Sequence, residues 1–148
     1  MTLSVGSPVP GRVVPLAEVP DPVFAEAMVG PGVAVLPAGG SVVAPVAGVI
    51  ATVHPHAFVV ATESGRAVLV HLGIDTVKLH GEGFTLHVGK GDQVAAGDAV
   101  VTWNPEAVVA AGYSAVCPVV ALDAAAEALG AVRDGGEVAV GEPLFEWR

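Results

Sequence analysis

One pattern of turn residues, present twice, constrains the fold of this chain more than any other feature. Val88-Gly89-Lys90-Gly91-Asp92-Gln93-Val94-Ala95-Ala96-Gly97-Asp98 aligns without a gap to Val132-Arg133-Asp134-Gly135-Gly136-Glu137-Val138-Ala139-Val140-Gly141-Glu142, and the same offset relates Trp103 to Trp147. Each copy reads as a turn, a short strand and a second turn. A shorter echo lies upstream of each: Pro8-Val9-Pro10-Gly11-Arg12-Val13-Val14 and Pro45-Val46-Ala47-Gly48-Val49-Ile50. Together they predict a pseudo-symmetric all-β body. The 19 Gly and 12 Pro agree, because valine-rich runs punctuated this often make short strands and tight turns.

Helices are expected to be few and short. Asp21-Pro22 starts one that ends at Gly30, Asn104-Pro105 starts another that ends at Gly112, and the alanine-rich stretch 123–130 is a third candidate. With 148 residues and no linker, low-complexity tract or charge run, the expectation is a single domain over residues 1–148. The formal net charge of −9 argues against a nucleic-acid partner and favours one with a positive docking face. Cys117 is the only cysteine, so no internal disulfide forms, which fits a reducing cytoplasm. The start lacks a basic and an apolar region of the kind a signal peptide needs. No charged residue occurs between Ala27 and Thr62, but Pro31, Pro37, Pro45 and Pro55 with their glycine neighbours break any spanning helix, so no membrane insertion is expected.

The candidate chemistry lies in Val68-Leu69-Val70-His71-Leu72-Gly73-Ile74-Asp75-Thr76-Val77. A histidine on an aliphatic strand is either a buried structural residue or a working one. A second, His56, stands one hairpin upstream. If Ser64-Gly65 forms a two-residue loop, His71 faces Phe58 and His56 faces Gly73. The two imidazoles are then diagonal neighbours, roughly 7–8 Å apart at the backbone, above open space at Gly73. Two histidines on one open patch suggest a phosphoryl-carrying or metal site.

These residues carry a specific resemblance. Ala44-Pro45-Val46-Ala47-Gly48, His56-Ala57-Phe58, His71-Leu72-Gly73-Ile74-Asp75-Thr76-Val77 with Gly81-Glu82-Gly83-Phe84, Val19 to Ala25 and Cys117-Pro118-Val119-Val120 resemble the glucose-type enzyme IIA of the bacterial sugar phosphotransferase system. The likeness runs from about Ser7 to Trp147. It implies a compact antiparallel β-sandwich with a duplicated hybrid motif. It also implies a cytoplasmic carrier that takes a phosphoryl group from HPr and passes it to the IIB domain of a sugar permease. Some members also bind and regulate other proteins when unphosphorylated. By motif match, His71 is the phosphorylated histidine, His56 its phosphate-stabilising partner and Asp75 a supporting aspartate. Asp75 is expected to hold a neighbouring group and to weaken the phosphohistidine enough to keep transfer reversible. Backbone N–H groups around Gly73 and Asp75 are further candidate donors. Val23, Phe24, Met28, Val29, Leu69 and Val77 are expected to form an apolar docking ring around the histidines, because a helix of about two turns cannot bury the first four. The chain departs from the family in one place: His54-Pro55 stands where Thr-Asn is expected, so an orienting threonine is missing and His54 either replaces it or lies in solvent. The chain also starts almost at its first strand, without the amphipathic tail of some members.

Two other readings remain open. His54-x-His56 and His71-x-x-x-Asp75 contain zinc-ligand types, and lysostaphin-type zinc peptidases share a hybrid motif, but with the two elements in the opposite order. No cofactor is required by the phosphoryl-carrier reading, yet zinc at His56 and His71, with a partner's carboxylate, is compatible with the residues. Biotin- and lipoyl-carrier domains use similar hairpins with an exposed lysine. The only lysines are Lys78 and Lys90, and Lys90 reads as an ordinary turn residue.

Overall fold

The computed structural model describes residues 1–148. Its strands are β1 (Leu3–Gly6), β2 (Gly11–Pro15), β3 (Gly32–Pro37), β4 (Ser41–Val43), β5 (Gly48–His54), β6 (Ala57–Ala61), β7 (Ala67–His71), β8 (Thr85–Leu86), β9 (Gln93–Val94), β10 (Ala99–Thr102), β11 (Cys117–Ala121), β12 (Leu129–Gly130), β13 (Glu137–Val138) and β14 (Pro143–Trp147). Two helices, α1 (Pro22–Ala25) and α2 (Pro105–Ala110), and three 3₁₀ turns complete it. The largest sheet runs β13-β2-β3-β11-β7-β6-β5-β9, and two small sheets run β1-β14-β12 and β4-β10-β8. All pairings are antiparallel. The repeats predict an all-β body and the resemblance an antiparallel β-sandwich, and the architecture is that sandwich.

The duplication is visible bond by bond. The Ser7 amide donates to the Glu142 carbonyl at 2.8 Å, as the Ala44 amide does to Asp98 at 2.9 Å; the Gly141 amide returns a bond to Ser7, as Gly97 does to Ala44, both at 2.9 Å. Gly11 pairs with Val138 and Gly48 with Val94, so each upstream echo meets its own downstream copy. The acidic residue that ends each repeat closes the same turn: Asp98 accepts from the Ala95 amide at 2.8 Å and Glu142 from the Ala139 amide at 2.6 Å. The two copies also grip each other, the Gly6 amide on the Pro45 carbonyl and the Val43 amide on the Pro8 carbonyl.

The main core lies between the sheets and includes Phe58, Val68, Val70, Leu72, Trp103, Leu144 and Phe145. Each large aliphatic or aromatic side chain buried there stabilises the fold by about 1.5–3 kcal/mol. A second, smaller apolar cluster of Leu16, Val19, Phe24, Ala34, Ile74, Val116 and Val120 lies apart from it, with Leu69 partly buried against it. Strand alternation sends Val68 and Val70 into the main core and puts Leu69 and His71 on the other face.

The helices are shorter than the sequence suggests, except one. Asn104 caps α2 by accepting from the Ala107 amide at 3.1 Å, as its Asn-Pro start predicts. Asp21 caps α1 in the same way, from Val23 at 2.9 Å, but α1 stops at Ala25 and Ala27 turns left-handed at φ 53°. Met28 and Val29 therefore lie beyond the helix. The third candidate reduces to one 3₁₀ turn, Ala126–Ala128: Asp123 is left-handed, and Leu129 is drawn into pairing with Trp147. No helix is long and apolar enough to cross a membrane.

Candidate functional site

His71 ends β7, and His56 is the second residue of the two-residue turn Pro55-His56 between β5 and β6, which His54 and Ala57 close. The hairpin register differs from expectation by one residue. Ala57, not Phe58, faces His71, and Ala61 faces Ala67. The loop is Glu63-Ser64-Gly65 rather than Ser64-Gly65, with the Thr62 amide bonded to the Arg66 carbonyl and Gly65 left-handed at φ 87°. A three-residue loop ending on a left-handed glycine is the next common hairpin solution. His56 still reaches His71 because, as a turn residue, it is freed from strand alternation. The Leu72 amide donates to the His56 carbonyl at 2.7 Å, and the two rings meet edge to face with centroids 5.4 Å apart.

Gly73 does not leave open space, contrary to the sequence reading. A Cβ there would stand 2.7 Å from the Ser114 carbonyl oxygen and 2.7 Å from Thr76 Cγ2, and φ is 76°. Only glycine lets the chain turn this tightly. The turn brings the Gly73 carbonyl oxygen back to 2.6 Å from His71 Nδ1. A carbonyl can only accept, so Nδ1 carries the hydrogen and the Nε2 lone pair is free. The Gly73 amide lies near the Cys117 sulfur, and the Asp75 amide makes no hydrogen bond within the chain. Cys117 is fully buried, and burial pushes its thiol up to about 12, which makes it inert. Thr76, also buried, bonds the Leu72 carbonyl at 2.6 Å and braces the turn.

The site's electrostatics keep both imidazoles neutral. Burial lowers His71 below the ordinary value of 6.5, opposed by the Gly73 bond and by the charges of Asp21 and Asp75. Burial lowers His56 as well, followed by the charges of His71 and His54. Asp75 is exposed, left-handed at φ 62°, and its side chain caps nothing. Asp21 is a site residue that the sequence reading assigned only to helix capping. Its carboxylate caps α1, and its charge acts on His71 from a segment far away in the chain.

The expected apolar ring is only partly exposed. Val23, Val77 and Met28 stand 40%, 55% and 68% exposed, while Val29 and Leu69 are half-buried. Phe24 is buried at 7% exposure, its ring 5.3 Å from that of His71. The α1 segment does not bury all four of its apolar residues, as expected; what differs is that Phe24, expected on the docking ring, is the one that folds under the histidine. His54 is exposed and stacks on His56 with centroids 5.7 Å apart and planes 20° apart. No group of three or more His, Cys, Asp or Glu side chains is arranged to hold a metal ion; His56 and His71 alone supply two of the four ligands that zinc takes.

Comparison with known proteins places this geometry among relatives. Residues 3–126 match the family described as phosphoenolpyruvate-dependent sugar phosphotransferase system, EIIA 1. A glucose-specific EIICBA component of the phosphotransferase system of Streptococcus pneumoniae is 51% identical over 114 residues, which cover 76% of this chain and 16% of that protein. A glucose-specific EIIA component from Oceanobacillus iheyensis is 43% identical over 120 residues, covering 80% of this chain and 73% of that one. The solved structure of glucose permease IIA from Mycoplasma capricolum matches with a TM-score of 0.94 at 36% identity, over 100% of this chain and 97% of that one.

Proposed function

Because the chain belongs to the EIIA 1 family of the phosphoenolpyruvate-dependent sugar phosphotransferase system, a phosphotransferase component of sugar uptake, we propose that His71 is its phosphoryl carrier. The group comes from the phosphohistidine of HPr and goes to the IIB domain of a sugar permease. The observation that carries this is the 2.6 Å contact between His71 Nδ1 and the Gly73 carbonyl oxygen. It fixes the tautomer with Nε2 unprotonated, the form a nucleophile needs. Nε2 attacks phosphorus in line as the N–P bond to the donor imidazole breaks, and the donor keeps that electron pair. The hydrogen stays on Nδ1, donated to the Gly73 carbonyl oxygen, and steadies the ring through both transfers.

His56 lies edge-on to His71 and is the side chain placed to donate to a phosphoryl oxygen; the free Asp75 amide is a second donor. The Asp21 and Asp75 carboxylates favour positive charge on the His71 ring and repel the phosphoryl oxygens. Together these effects keep the phosphohistidine easy to pass on. Val23, Met28 and Val77 form the exposed rim on which HPr and IIB dock in turn, with Leu69, Val29 and Phe24 beneath. Overlapping use of one small apolar face suits rapid exchange, and the acidic surface draws a basic partner edge. The names of the Streptococcus pneumoniae EIICBA and Corynebacterium glutamicum EIIBCA relatives join A, B and C components, which supports a IIB domain as the acceptor. The proposed setting is the cytoplasm, where Cys117 stays reduced.

The test is incubation with phosphoenolpyruvate, enzyme I and HPr. The intact chain should acquire one acid-labile phosphoryl group, and His71→Ala should acquire none while keeping its fold. Labelling that persists in this variant would remove His71 from the role.

A further inference from the structure

His71, His56 and His54 form a row. His56 meets His71 edge to face at 5.4 Å, and His54 lies nearly parallel to His56 at 5.7 Å. The row runs from the half-buried end of β7 to the exposed end of β5. Its middle member is on a two-residue turn; its carbonyl is bound by the Leu72 amide, but its ring makes no hydrogen bond within the chain. Pro55 fixes that turn from one side, and Gly81 presses on it from the other: a Cβ on Gly81 would stand 3.2 Å from Pro55 Cγ. What fixes the His56 ring is therefore its two aromatic neighbours.

We propose that His54 is a positioning residue for phosphoryl transfer: its ring stacks on His56, holds that imidazole edge-on to His71, and shares with it the one positive charge that faces the phosphoryl group. The proposal rests on the phosphoryl-carrier reading above and names a residue which that reading leaves idle. Without phosphate, two neighbouring imidazolium ions repel, so the row stays neutral. A phosphoryl group brings about −1.5 to −2 charges at neutral pH. One proton from solvent then enters the His54–His56 pair and sits on a ring nitrogen of one imidazole or the other, since two neighbouring imidazolium ions repel. Other charged groups flank the row without entering it. Asp21 and Asp75 face His71. Lys78, His80 and Glu82 lie on the exposed segment around Gly81. His56 itself feels His71 and His54.

Three full-length proteins test this: wild type, His54→Ala, and His54→Phe, which keeps a stacking ring but no proton site. The His56 ring proton is followed by NMR against pH in each, before and after phosphorylation by phosphoenolpyruvate, enzyme I and HPr. Before phosphorylation, both variants should titrate His56 at higher pH than wild type, because a repelling neighbour is gone. Onward transfer to a IIB domain should slow roughly 2- to 10-fold in His54→Ala, the span that loss of one aromatic pair predicts. His54→Phe should recover the rate above pH 7 and lose it again below, where the shared proton matters. A merely structural His54 would leave the His56 titration and the shape of the pH profile unmoved, and that result would overturn the proposal. Equal rates in all three proteins at every pH would overturn it as well. Should wild type fail to take up phosphate, the carrier reading falls, while the titrations without phosphate still decide whether His54 and His56 are coupled.

Discussion

Gly73 does two things at once: it lets the chain turn at φ 76°, and it offers the oxygen that fixes the His71 tautomer. Gly73→Ala would force a Cβ against the Ser114 carbonyl and Thr76. It should cost about 1–3 kcal/mol in denaturant unfolding and slow phosphorylation beyond what that loss explains, because the acceptor of Nδ1 moves. The pH behaviour follows from the same residues. Both His71 and His56 have folded values lowered below 6.5 by burial. Their contribution to stability is complete above that pH and is lost as pH falls through the lowered values, since the unfolded chain then binds more protons. A urea series between pH 7.5 and 5 should show this decline, with His71→Ala and His56→Ala each flattening it. Labelling by phospho-HPr should persist at pH 6 better than a free imidazole of ordinary pKa would allow. The histidine pair was legible in the sequence because the motif around His71 is long and specific. Asp21 facing His71 was not, because no local pattern encodes a neighbour brought in from another segment.

At the scale of elements, the β6–β7 hairpin and α1 decide what the site presents. Glu63-Ser64-Gly65 satisfies the rules for a two-residue and for a three-residue loop, so the sequence left the register open by one residue. Pairing of Val68 and Val70 with the core selected the observed one. Helix α1 was read too long because its apolar residues continue past Ala27, where the backbone turns left-handed. The difference changes what a docking mutation should do. Met28→Asp and Val77→Asp, at exposed positions, should slow transfer from HPr and to IIB together and leave the unfolding midpoint unchanged. Phe24→Asp buries a carboxylate beside His71 and Ile74 and should unfold the protein readily, with a loss of about 3 kcal/mol or more. Circular dichroism melts set beside transfer rates at low and high salt separate these cases. High salt should slow association in the wild type, given the net charge of −9.

Across the whole molecule, the repeats made the duplicated all-β body legible, since each copy carries its own turn chemistry and its own upstream partner. The sequence did not show how the ends are joined. β1 pairs with β14, Leu3 opposite Trp147, and Arg66 holds both: its guanidinium donates to the Trp147 carbonyl at 2.7 Å and to the Met1 carbonyl, and lies over the Trp147 ring. Arg66→Ala should lower the unfolding midpoint and raise hydrogen exchange in β1 and β14 first. Arg66 also stands one residue before the strand that ends at His71. Five residues of strand span roughly 17 Å. Either end of the described chain thus emerges at one spot, a fixed short distance from the imidazole. A flexible Gly/Ser tether of about ten residues has an r.m.s. reach equal to that distance. An acceptor domain joined to either end would be held at roughly millimolar effective concentration over the same histidine, so the order in which the two are fused should leave the intramolecular transfer rate nearly unchanged.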